Sequence, residues 1–195
     1  FRHAWERTRG LTPAQVVART EMLMQRIGAV PEDRPVVRPA RAAAQQAEAR
    51  GAGKDGFYCG AALQLADGTI VTGKNSPLFH SASAAIINGL KRLASIPDSM
   101  LLLPEAVITG LTELKSRYLT SSSPSLNVQE VLVAIGISAA MNPTARAVVE
   151  VLPGLRGTQM HLTHEPGPGD ESGLRKLGIS FTTDATPTSQ DYFLR

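Results

Sequence analysis

The chain has 195 residues, enough for one domain of ordinary size or for a domain with a helical appendage. Its 43% hydrophobic and 19% charged residues are the balance of a folded globular protein, which excludes a disordered chain. The net charge is only +3, and Lys and Arg are scattered without an aromatic stripe, so we predict no nucleic-acid partner. Cys59 is the only cysteine, which excludes an internal disulfide and favours a reducing, cytoplasmic location.

Neither a membrane span nor a signal peptide is predicted. The longest nearly apolar run, residues 131–141, is much shorter than the about 20 residues that cross a bilayer, so it predicts a buried helix and no membrane partner. Residues 1–7 are charged, unlike the start of a signal peptide. Because the first residue is Phe1 and not Met, we expect the chain to continue a longer polypeptide.

A helical segment is predicted before the main domain. A helix runs from Thr12 to Gly28, and a connector punctuated by prolines and a second helix follow it. The Gly-rich segment 51–56 predicts a flexible joint. We therefore divide the chain into residues 1–53, a helical connector or the end of a preceding domain, and residues 54–195, an α/β domain.

Strands and helices alternate after the joint. Asp67-Gly68 predicts a tight hairpin in which both turn residues take a positive φ. The predicted strands are residues 57–65, 69–72, 100–103, 158–163 and 179–182. The predicted helices are residues 81–95, 104–119, 128–141, 143–153 and 170–177. This order predicts a mixed sheet covered by helices, with the helix after Asn127, which is apolar nearly all round, at its centre.

Several segments resemble a bacterial family of unknown function, and the resemblance covers almost the whole chain. They are residues 31–35, 58–62, 67–77, 138–145 and 163–171. Members of that family are considerably longer, so the resemblance implies that this is the C-terminal region of a longer protein and that the N-terminal region of the same protein is its partner. Some relatives carry the label ATP-dependent zinc protease, but no His-Glu-x-x-His motif supports that label here.

Residues 60–93 are similar to the opening of a cytidine deaminase, a fold of hairpin, helix, strand and helix that holds zinc at two helix starts. The first zinc motif would fall on His80-Ser81-Ala82 and the second on residues 143–147, where Thr144 and Ala147 replace the cysteines. Ala82 also replaces the proton-shuttling Glu, so the resemblance implies the fold without zinc or another cofactor. The predicted fold class is α/β, a cytidine-deaminase-like three-layer sandwich with a mixed sheet, preceded by a helical connector.

The turn before the helix at residue 81 is the most suggestive candidate site. It concentrates a cation, an amide, a hydroxyl and an imidazole at a helix start, which favours anions: Lys74, Asn75, Ser76 and His80. The segment resembles the formyltransferase half of the bifunctional purine-synthesis enzyme, a deaminase-like fold that works without zinc. The resemblance implies catalytic roles for Lys74 and His80. In the alternative interpretation, Asn75 and Ser76 cap a turn and His80 is an ordinary residue at a helix start.

Two further segments contribute candidate ligand-binding residues. Asn142 and Thr144 lie at a helix start, where Asn142 is also a good cap, and we expect this start to face the one at residue 81 across a polar cavity. His161 and His164 lie on a strand and point to opposite faces, so they predict no shared metal. His164, at the strand's C-terminal end, is the better ligand-binding candidate.

Two functions therefore stay open on the sequence. The domain is a metal-independent enzyme or small-molecule-binding domain for an anionic or nucleotide-like ligand, or it is a non-catalytic scaffold that forms a homo-oligomer or an interface within a larger protein. Convergence of the polar candidates on one cavity favours the first, and an apolar filling of that space favours the second.

Overall fold

A computed structural model describes residues 1–118 and 124–187. The helices are α1 (Arg2–Thr8), α2 (Ala14–Ile27), α3 (Val37–Ala49), α4 (Ser81–Leu93), α5 (Glu105–Tyr118), α6 (Val128–Ala139), α7 (Pro143–Val151) and α8 (Pro168–Lys176), with 3-10 turns at Pro31–Asp33 and Leu152–Leu155. The strands are β1 (Gly60–Gln64), β2 (Ile70–Lys74), β3 (Gln159–Leu162) and β4 (Ser180–Thr183). The expected α/β class is confirmed.

The strands form one mixed sheet in the order β2-β1-β3-β4. β1 is antiparallel to both β2 and β3, whereas β3 and β4 are parallel. The predicted hairpin joins β1 to β2, but its turn differs from the prediction. Gly68 has φ +84°, whereas Asp67 does not take a positive φ. Leu65 closes the turn by donating its N–H to the Thr69 carbonyl, so the loop is a three-residue turn with one left-handed glycine.

Helices cover both faces of the sheet. Side chains alternate along β1, so this strand presents apolar residues to each face. Ala62 packs with Val36 and Ala40 of the α3 segment on one face. Ala61 and Leu63 face the larger core, which α4 and α6 share on the other side. The helix α3 precedes residue 54, so residues on the N-terminal side of the predicted boundary contribute to the packing of this sheet.

Two elements differ from the sequence-based expectations. Residues 100–103 form bends and not a strand, although Leu102 and Leu103 are buried, because a short apolar run does not distinguish a strand from a buried irregular segment. α6 is not enclosed on all sides, since Val133 is 56% exposed and Ile137 48% exposed. Across the two described ranges, no helix has the length and apolarity needed to cross a membrane.

Two glycines set how closely the helices approach the sheet. A Cβ at residue 60 would lie 2.1 Å from the Ala40 carbonyl oxygen, and a Cβ at residue 73 would lie 2.2 Å from the Ala85 nitrogen. These are backbone atoms, so a side chain there requires the helix to move and not only a rotamer change. The sequence therefore places glycine where α3 and α4 touch the strands.

We predict that Gly60→Ala and Gly73→Ala each lower the free energy of unfolding by about 1–3 kcal/mol, the range of overpacked cores. Gly136→Ala is the matched control, because nothing lies within 4 Å of that helical position and alanine favours helix by up to about 1 kcal/mol. Urea denaturation of the three variants measures the difference. Equal stability of Gly60→Ala and Gly136→Ala would contradict the close packing of α3.

Candidate functional site

A cavity of about 360 Å³ lies where the start of α4 meets the start of α8. Its walls come from residues 54–59, from the turn between β2 and α4, and from the segment that follows β3. The lining mixes polar side chains with Phe57, Phe79 and Leu162. A volume of this size fits a small metabolite, since ligand pockets begin at about 300 Å³.

His80 and Asp170 form the central pair of this cavity. His80 Nδ1 lies 2.6 Å from Asp170 Oδ2, and the other Asp170 oxygen accepts a hydrogen bond from the Val128 N–H at 2.9 Å. Asp170 is 3% exposed, so its charge is buried with partners on both oxygens. The His80 N–H donates to the Leu126 carbonyl, which fixes the backbone as well. The side-chain contact of His80 within the described residues thus runs through Nδ1.

Asn75 and Ser76 line the cavity, but their side chains hold the backbone. Asn75 Oδ1 accepts from the Cys59 N–H at 2.8 Å, and its Nδ2 donates to the Phe57 carbonyl at 2.9 Å. Ser76 Oγ accepts from the N–H groups of Leu78 and Phe79. These contacts agree with the alternative interpretation, in which Asn75 and Ser76 cap a turn. A ligand-binding role for either residue stays a prediction.

The structure does not bring Lys74, Asn142 and Thr144 to this cavity: none of them is among the described residues that line it. Lys74 ends β2 and is exposed. Asn142 Oδ1 accepts from the Thr144 N–H at 2.9 Å, an ordinary helix cap. The start of α8, and not that of α7, meets the start of α4. The order of elements in the sequence could have indicated α8, because α8 follows a strand whereas α7 follows a helix.

His164 lines the cavity as expected, and His161 lies elsewhere. His164 Nδ1 is 3.0 Å from Thr163 Oγ1, and burial lowers the pKa of His164, against the opposing effect of the Asp184 charge. His161 is fully buried, with Nδ1 2.9 Å from Thr182 Oγ1 and Nε2 3.4 Å from Asp184. The two imidazoles therefore have different neighbours.

Sequence reasoning missed the charged residues of the lining other than His80 and His164, namely Lys54, Asp55, Glu165 and Asp170. Glu165 is 1% exposed; Thr8 donates to its Oε1 at 2.5 Å, and its Oε2 has no partner in the described part of the chain. The segment around Glu165 carries the family resemblance, but no local pattern in it indicates a cavity residue. With Asp55 and Asp170, Glu165 gives the cavity three carboxylates.

The donor set of this cavity does not fit a zinc site. Burial, with a smaller effect of the Asp170 charge, raises the pKa of the Cys59 thiol to about 12, so Cys59 stays neutral and is a poor metal ligand or nucleophile at pH 7. Within residues 1–118 and 124–187, no three His, Cys, Asp or Glu side chains are grouped to hold a metal ion.

We predict that His164 titrates below pH 6.5 in the folded protein, because burial disfavours its charged form. Between that lowered pKa and 6.5 the unfolded chain binds a proton that the folded chain does not, so the free energy of unfolding falls as pH falls through this window. Histidine NMR titration measures the midpoint, with His164→Gln to assign the signal. A midpoint at or above 6.5 would contradict the burial.

Comparison with known proteins supplies the family. Residues 32–193 match the family model described as "Domain of unknown function DUF1846, C-terminal". A UPF0371 protein of Clostridium botulinum (strain Alaska E43 / Type E3) is 37% identical over 194 residues, which cover 99% of this chain and 38% of the relative.

Two further relatives give the same result. A UPF0371 protein of Clostridioides difficile (strain 630) is 38% identical over 193 residues, 99% of this chain and 38% of the relative. One of Corynebacterium aurimucosum is 40% identical over 166 residues, 85% of this chain and 32% of the relative. The chain thus spans less than two-fifths of the length of these relatives, and it belongs to the DUF1846 family, a bacterial family of unknown function.

Proposed function

We propose that the cavity binds a small ligand with an anionic group, as in a nucleotide, and that the His80–Asp170 pair performs acid–base chemistry on it without a metal. The observation that carries this proposal is the 2.6 Å contact between His80 Nδ1 and the buried Asp170 at the N-terminus of α4. In such a pair, the carboxylate orients the imidazole and stabilises the imidazolium that forms when Nε2 takes a proton.

In this proposal the anionic group of the ligand binds at the N-terminus of α4. His80 is the cap residue, but its side chain makes no cap hydrogen bond to the first turn, since it is paired with Asp170. Ser81 and Ala82 line the cavity, and the first N–H groups of a helix favour an anion. The start of α8 already carries Asp170 and Glu171 in its first turn, which offset its positive dipole end.

The element order supports a relation to the cytidine deaminase fold. Apart from the intervening helices α5, α6 and α7, the β1–β2 hairpin, α4, β3 and α8 follow the order hairpin, helix, strand, helix, and the starts of α4 and α8 meet at the cavity. In this proposal the α8 start, and not the α7 start, is the counterpart of the second zinc motif. A buried carboxylate that binds an imidazole then stands in the region where a deaminase binds its metal.

A second candidate function, a scaffold or oligomerisation domain, is favoured by the outer surface of α6. Val133 and Ile137 lie on one side of this helix and Met141 lies in the turn after it; they are 56%, 48% and 86% exposed. Gly136 and Ala140 between them are also exposed and carry no bulky side chain. An apolar stripe of this kind suits contact with another chain or with the rest of a longer protein.

The first candidate is tested with inorganic phosphate and adenosine 5′-monophosphate by calorimetry. His80→Ala is expected to weaken binding about tenfold or more, because the ligand loses its contact with Nε2. Lys74→Ala is the matched control and is expected to change binding little, since Lys74 does not line the cavity. Equal binding by His80→Ala and the native chain, or no binding of either probe at millimolar concentration, would overturn the proposal.

The second candidate is tested by light scattering on the isolated chain. If α6 is an oligomer interface, the native chain has at least twice the mass of a monomer and Ile137→Glu returns it to a monomer. Val149→Glu on α7, a second exposed apolar position at 37% exposure, is the control. A native chain that is monomeric at all concentrations excludes the homo-oligomer.

A further inference from the structure

The cavity contains a second imidazole, that of His164, to which the proposed function gives no role. His164 follows β3 and lines the same cavity as His80. It has no carboxylate on Nδ1; that nitrogen lies 3.0 Å from the Thr163 hydroxyl. The two imidazoles that line the cavity therefore differ in the partner of Nδ1, which is a carboxylate for His80 and a hydroxyl for His164.

The hydrogen bonds of Thr163 define which His164 nitrogen carries the proton. Thr163 Oγ1 accepts from the Gly60 N–H at 2.8 Å and has one proton of its own to donate. The Gly60 carbonyl is 3.3 Å away and already accepts from the Thr163 N–H at 2.9 Å. His164 Nδ1, at 3.0 Å, is the nearer of the two acceptors. The shorter contact favours Nδ1 as the acceptor of the Thr163 proton, with Nε2 then the N–H nitrogen.

The surroundings favour a neutral His164 as well. Burial lowers its pKa, so the imidazole is uncharged at neutral pH. A neutral N–H donor in such a place suits an uncharged acceptor oxygen.

We infer that His164 Nε2–H binds an uncharged carbonyl oxygen of the ligand, so that the ligand is a small anionic carbonyl compound. This inference rests on the proposed function, because the anionic group is placed by the α4 start and the proton-transfer group is His80. His164 is then a binding residue that selects the carbonyl, while the His80–Asp170 pair acts on the same molecule.

The test uses two probes of equal charge and nearly equal shape. Hydroxyacetone phosphate has a ketone, and methallyl phosphate has a methylene group in place of the ketone oxygen. We expect the native chain to bind the ketone about five- to tenfold more tightly, the effect of one hydrogen bond. His164→Phe is expected to abolish this preference while still binding methallyl phosphate, and His164→Gln, which keeps an N–H donor, is expected to retain part of it.

The outcomes separate the inference from the proposed function. If neither phosphate binds, or if His80→Ala binds both as the native chain does, the proposed function fails and the inference fails with it. If both bind but the native chain shows no preference, or if His164→Phe keeps the preference, only the role of His164 is overturned. ¹⁵N NMR of the histidines gives an independent readout, and a proton on His164 Nδ1 in place of Nε2 would also overturn it.

Discussion

The buried Asp170 carboxylate is the interaction on which the cavity depends. It belongs to the first turn of α8, accepts the Val128 N–H at the start of α6 and binds His80 at the start of α4. A buried charge is tolerated only with partners, and this one has them from the starts of two other helices. The positions of these helices and the orientation of the imidazole are thereby fixed by one side chain, which is at once part of the packing and part of the site.

A second buried pair fixes the backbone behind His80. Lys115 of α5 is 5% exposed and donates to the Ser125 carbonyl at 2.6 Å and to Glu130 at 2.7 Å. Glu130 also accepts the Asn127 N–H, which completes the cap of α6. Between these residues, the Leu126 carbonyl accepts from the His80 N–H and from Ser83 Oγ. The segment before α6 is thus held from α5, and it holds α4 in turn.

Local signals predicted the elements well, and distant contacts accounted for the errors. Asn127 and Asn142 cap the helices that they were expected to cap, because a cap depends on residues two or three positions away. The His80–Asp170 contact joins residues 90 positions apart, and no local pattern contains it. For the same reason, the sequence indicated the helix starts but not which of them meet. We expected the starts of α4 and α7 to face each other, whereas the start of α8, which follows β3 of the sheet, meets that of α4.

The cavity also depends on residues that precede the predicted domain boundary. Thr8 donates to Glu165 in the cavity wall, and Arg9 binds Glu171 of α8 at 3.5 Å. Trp5 packs on Phe181 of β4, so α1 is attached to the sheet edge as well as to the wall. α2, by contrast, has no buried residue. Among the segments before position 54, α1 and the residue after it thus contact both the cavity wall at Glu165 and the helix α8, which carries Asp170.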